Sequence, residues 1–174
     1  MQIIIIACVA QPLSRNTDSR ILFYIFFARV PCPPPERALY INQKSEVFRM
    51  KKRIYVFTGG RDFTDRRQVN SFLSLYISPE DVVMVGDCPT GLDAMIRDAI
   101  PSAQVFAADW RRFGRRAGPY RNCKMCQSAA ALASATSADA YCVAFPGGRG
   151  TASCVLQARR AGLRLCELPE LRSR

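Results

Sequence analysis

Residues 144–151, Ala-Phe-Pro-Gly-Gly-Arg-Gly-Thr, have the types and spacing of an anion site. An apolar run over 140–145 reads as a buried strand. It breaks at Pro146 into a loop carrying Gly147, Gly148 and Gly150, and a helical pattern runs from Thr151 to 161. Glycine lets backbone approach a ligand closely. The free N–H groups of a helix start converge on one point, and that point favours a phosphate. On this reading the N–H groups of Gly148 through Thr151 and the Thr151 hydroxyl hold the phosphate. Arg149 either adds charge or points outwards. A tight turn with no ligand has the same local composition, so the loop has to be weighed with the others.

Three further loops carry candidate chemistry: residues 59–62, residues 86–91, and the third loop, from Asp109 onward. Gly59-Gly60-Arg61-Asp62 follows an apolar run, and its glycines allow close passage of a ligand. Arg61 suits a two-pronged contact with phosphate or carboxylate, unless Asp62 or Asp65 pairs with it. Gly86-Asp87-Cys88-Pro89-Thr90-Gly91 follows a second run, and Asp93 stands just beyond it. Asp93 suits a ribose hydroxyl or a base, or simply the positive end of its own helix. Arg121 and Asn122 are read as opening an alanine-rich helix that reaches the same place. If a reaction is catalysed, Asp87 and Asp93 are the candidate acids. Trp110 is a lid over a base or a core anchor, and its size favours the core.

The elements that must position these residues alternate. Strands are expected over 52–57, 81–85, 104–107, 141–145 and 163–168. Helices are expected over 65–76 with Thr64 as cap, 92–100, 121–135, and 151–161 closed by Gly162. Residues 109–120 read as a long polar turn. Strand and helix in alternation predict an α/β fold, a doubly wound sheet of about five mainly parallel strands with helices on both faces. Ligands in such sheets bind beyond the carboxyl ends of the strands. Every loop of interest follows a strand, so all of them meet on one rim.

The chain has 174 residues, 49% of them hydrophobic, with a net charge of +11, eight cysteines and no histidine. Lack of histidine excludes a Ser-His-Asp triad and any His-ligated zinc. The cysteines form no closely spaced framework, which points to a reducing compartment and hence the cytoplasm. Cys123-Lys124-Met125-Cys126 lies inside a helix without a second such pair, so packing is expected over redox or metal roles. No metal is expected. The basic residues are spread over 44–52, 111–121 and 159–174. With no single long block, nucleic acid is open as a partner but not favoured. No run is long enough to span a membrane. Residues 1–49 have no clear period, with prolines at 31 and 33–35. They read as an extension that is not native or is disordered, with Met50 as the natural start, the alternative being a membrane-associating or targeting segment. The domain proper is then 50–174, as a monomer or a homo-oligomer.

Five motifs occur in order: Gly59-Gly60-Arg61-Asp62-Phe63; Gly86-Asp87 with Gly91 and Asp93; Ala108-Asp109-Trp110; Gly118-Pro119-Tyr120-Arg121-Asn122; and Phe145-Pro146-Gly147-Gly148-Arg149-Gly150-Thr151. From about 50 to 168 the chain resembles the YspA/cpYpsA-related branch of the SLOG superfamily. The resemblance implies a Rossmann-like fold that binds a nucleotide or nucleotide-derived ligand, for sensing or carriage. Related proteins imply two alternatives, a phosphoribohydrolase cleaving an N-glycosidic bond or a DNA-binding DprA-like protein. The hydrolases carry Pro-Gly-Gly-x-Gly-Thr-x-x-Glu with a catalytic glutamate, where this chain has Cys154. A thiol does not replace that carboxylate, which argues against the hydrolase.

Overall fold

The period of two in Ile54-Tyr55-Val56-Phe57 sets the architecture. Ile54 and Val56 join one buried apolar cluster and Tyr55 and Phe57 another, on opposite faces of the same strand. A strand covered on both faces reads as a continuous apolar run and belongs in the middle of a parallel sheet. The computed structural model describes residues 52–168, so the boundary expected near Met50 lies outside the described residues. In it β1 (Arg53–Thr58) is the central strand. Around it stand β2 (Val82–Gly86), β3 (Gln104–Phe106), β4 (Asp139–Ala144) and β5 (Arg164–Glu167), in the order β3-β2-β1-β4-β5. Every pairing is parallel. This is a Rossmann-like, doubly wound α/β fold.

Helices α1 (Arg66–Tyr76) and α2 (Gly91–Ala99) cover the Tyr55 and Phe57 face with Val69, Phe72, Leu92, Met95 and Ile96. After β3 comes a single turn, α3 (Trp110–Phe113), then a 3-10 turn at Gly114–Arg116. Helix α4 (Ala117–Thr136) returns the chain across the sheet to β4, and α5 (Arg149–Arg160) follows. These two cover the other face with Met125, Cys126, Ala129, Cys154 and Ala158. The order of strands therefore reverses between β1 and β4. Their carboxyl ends open the crevice in which ligands of such sheets sit.

Local chemistry moves several expected boundaries. Asp65, not Thr64, caps α1, its side chain accepting from Gln68 N at 3.0 Å. The segment expected as a polar turn is mostly helical. Asp109 caps α3 by accepting from Arg112 N at 2.9 Å, and α4 begins at Ala117 rather than Arg121. Pro119 stands in the first turn of α4, where its missing N–H has no intrahelical partner to lose. Arg121 and Asn122 therefore sit beyond the helix opening. Helix α5 starts at Arg149 with Gly148 as its cap, so Gly150 is helical, and Gly162 closes that helix at φ 77° as expected. Among the described residues no helix is long and apolar enough to cross a membrane.

Candidate functional site

The four loops form one cleft of about 1500 Å³ beyond the carboxyl ends of β1, β2 and β4. Gly60 ties its walls together. Its N–H donates to Pro146 O at 2.9 Å, and its carbonyl accepts from Leu92 N at 3.2 Å and Phe63 N at 3.3 Å. The first loop is thus bonded to the fourth and to the start of α2. Gly59, Gly60, Arg61, Asp62, Gly86, Asp87 and Asp93 line the cleft, as do Arg121, Asn122 and every residue from Pro146 to Thr151. Gly91 does not. It holds a left-handed φ of 66°, and a side chain there would run into the backbone of Gly60 and Arg61. Gly91 shapes the wall from behind, because only glycine takes that conformation at so close an approach.

The glycines of the fourth loop divide their work. A Cβ on Gly147 would collide with Thr151 Oγ1 and lie 2.6 Å from Gly60 N, whereas one on Gly148 or Gly150 meets nothing within 4 Å. Gly147→Ala is therefore expected to lower the unfolding free energy by about 1–3 kcal/mol through overpacking. Gly148→Val is expected to leave the urea midpoint unchanged and to act only on ligand affinity. Equal midpoints for the two variants would contradict this division.

Helix α5 opens without a side-chain cap. Thr151 is 8% exposed, and its hydroxyl is buried under this opening without a hydrogen-bond partner. Asn122, also buried, donates from Nδ2 to Gly150 O at 3.3 Å, bracing the first turn of α5 against α4. Arg61 and Arg149 stand exposed on the rim. Neither forms an ion pair among the described residues, so Arg61 is not held by Asp62 or Asp65.

At the cleft floor the Arg121 guanidinium lies between two carboxylates, 3.5 Å from Asp93 Oδ2 and 3.6 Å from Asp87 Oδ1. It also donates to Phe106 O at 3.5 Å. Its Nε is buried with no partner. Burial raises the Asp93 carboxyl above its usual range, opposed first by the charge of Arg121 and by the Cys88 N–H. Asp87 accepts from Ala108 N at 2.9 Å, joining the second loop to the third. Arg97 is a clamp the motifs did not disclose. It donates to Gly86 O at 3.1 Å and Cys88 O at 2.9 Å, holding the second loop from α2. Its place in the last turn of an amphipathic helix is the one signal for it.

Two side chains fall opposite to expectation. Trp110 is 49% exposed and lines the cleft instead of anchoring the core. Short α3 carries it outside both apolar clusters, with the indole resting near Gly118 at 3.5 Å from a Cβ position there. Cys154 is buried behind the floor rather than facing the ligand, packed with Cys126 and Cys142. Cys126 Sγ donates to Cys154 O at 3.9 Å, and contact with the Cys154 side chain together with burial pushes the Cys126 and Cys142 thiols above the usual thiol range. The same contacts act on Cys154 in the opposite direction and lower it. Ser153 is the neighbour that reaches the cleft. The Cys-x-x-Cys pair is split, with Cys126 buried and Cys123 half-buried.

Fold and cleft together define a Rossmann-like α/β protein with its crevice at the reversal of strand order. The chain is 31% identical over 121 residues to the Gene 61 protein of Mycobacterium phage D29, covering 62% of this chain and 90% of that protein. It belongs to the family of that phage protein. No protein-family model matches the chain, and no solved structure matches it.

Proposed function

We propose that the cleft binds a nucleotide or nucleotide-derived, phosphate-containing ligand, for sensing or carriage, as the resemblance to the YspA/cpYpsA-related SLOG branch implies. The carrying observation is the Thr151 hydroxyl, buried without a partner at the uncapped start of α5. A buried polar group left unpaired costs about 1–3 kcal/mol. A phosphate oxygen seated on the first N–H groups of α5 would accept from this hydroxyl. Arg61 and Arg149, free of ion pairs among the described residues, would add charge to that seat. Binding is favoured over hydrolysis because Asp87 and Asp93 are both engaged by Arg121 and by backbone N–H groups. Both carboxylates are thereby tied into the frame of the cleft.

Thr151→Val separates ligand binding from folding. Without ligand the variant is expected to match or exceed the parent in stability by about 1 kcal/mol, because the orphan hydroxyl is gone. Its affinity for adenosine monophosphate in calorimetry is expected to fall about tenfold, the worth of one charge-assisted bond. Adenosine is expected to bind far more weakly than its monophosphate. Equal binding of the two, or unchanged affinity in Thr151→Val, would sink the phosphate reading.

A further inference from the structure

We propose that the turn formed by α3 and residues 114–116 binds single-stranded nucleic acid, one nucleotide of which enters the cleft. The second half of this statement rests on the nucleotide reading above. From Trp110 to Lys124 the chain has six cations, Arg111, Arg112, Arg115, Arg116, Arg121 and Lys124, and no acid. Arg121 is committed to the cleft floor. Arg111, Arg112, Arg115 and Arg116 are exposed and make no ion pair among the described residues. Four like charges within six residues repel one another, so folding alone gives no reason to gather them. A partner with several phosphates does.

Aromatic rings are interleaved with these charges. Trp110 is 49% and Tyr120 47% exposed, and Phe113 packs tilted against Tyr120 with ring centroids 4.5 Å apart. The Arg112 guanidinium lies 5.0 Å from the Phe113 ring centre and Lys124 Nζ 5.6 Å from that of Tyr120. Exposed rings beside unpaired cations form the surface on which unstacked bases and their backbone lie together. A duplex offers no free base faces. A single four-residue turn is also too short to read a major groove. Trp110 and Arg115 line the cleft while Arg111, Arg112 and Arg116 stand outside it. One nucleotide would fill the cleft and leave these outer charges unmet; a strand meets both.

The test uses the full chain with labelled twelve-nucleotide DNA and RNA single strands and the matching duplex, followed by anisotropy. Single strands are expected to bind at least tenfold tighter than the duplex. Affinity should fall with salt at a log–log slope of roughly −3, from about 0.7 per phosphate contact over four arginines. Arg111→Gln with Arg112→Gln should reduce that slope by about 1.4. Trp110→Ala should weaken single-strand binding about tenfold, the worth of one stacked base. The chain has one tryptophan, so quenching of its fluorescence by the strand reports on Trp110 alone. Both variants alter exposed side chains, and an unchanged urea midpoint checks that they fold.

Duplex binding as tight as single-strand binding overturns the proposal. So does an unaffected Trp110→Ala, or displacement of the strand by an acidic peptide at equal charge concentration. If adenosine monophosphate binds and strands bind no better, the turn is refuted and the cleft reading stands. If strands bind but Thr151→Val leaves both strand and mononucleotide affinity unchanged, the cleft reading fails and the turn alone holds.

Discussion

Gly86→Ala is expected to cost about as much ligand affinity as removing Arg121 itself, roughly thirtyfold, which is the worth of a charged hydrogen bond of about 2 kcal/mol. A Cβ at the end of β2 would occupy the space of the Arg121 guanidinium and of Asp93 Oδ2. Of the groups in that space, the guanidinium is the end of a flexible side chain and is the one that leaves. Asp93, with its side chain 11% exposed, then loses its main compensating charge. The variant should therefore also unfold more easily, by about 1–3 kcal/mol, as an unpaired buried group requires. A double-mutant cycle provides the check. Arg121→Gln removes the same guanidinium, so the two changes should be strongly non-additive in calorimetry, because they act on one group. Additive losses would show that Gly86 acts in some other way.

Cys154→Glu should be the most destabilising single change near the cleft, and it should not create a catalytic carboxylate. Side chain 154 lies in the apolar cluster with Met125, Cys126, Cys142 and Ala158. A glutamate there adds volume to a packed core, which costs about 1–3 kcal/mol. It also buries a carboxyl among apolar side chains, so further stability is lost. A total loss of about 4 kcal/mol is expected from those two sources, read in urea unfolding. Ser153→Glu, one residue earlier and lining the cleft, should stay within about 0.5 kcal/mol of the parent, as surface substitutions do. Neither variant is expected to release free base from nucleoside monophosphates. A stable Cys154→Glu protein would mean that this side chain faces the ligand after all.

The elements and the rim on which the loops meet were legible in the sequence because both depend on local signals. Ile54-Tyr55-Val56-Phe57 and 140–145 are apolar runs with no alternation to water. Pro101 and Gly162 stop helices by their own backbone chemistry. Glycine after a strand marks the same kind of loop wherever it occurs. Local signals also misled. The polar stretch 109–120 read as a turn, yet it is mostly helical, and its one proline, Pro119, is harmless in the first turn of α4. Asp65 outcompetes Thr64 as the cap because its carboxylate reaches Gln68 N.

The local pattern of the sequence determined that five strands would alternate with helices and that a glycine loop over 147–150 would lead into a helix on the same rim as Gly59 and Gly60. Only the tertiary structure decided what each side chain then does. The α4 crossover brings Arg121 against Asp93, 28 residues away in sequence, and the return to β4 puts Gly60 against Pro146. Whether Trp110 faces water, whether Cys154 faces the core, and whether Gly91 touches ligand or backbone all depend on neighbours from distant segments. Strand and turn formation is set by residues a few positions apart. Burial and charge pairing are set by topology, because they belong to the space between elements and not to any one of them.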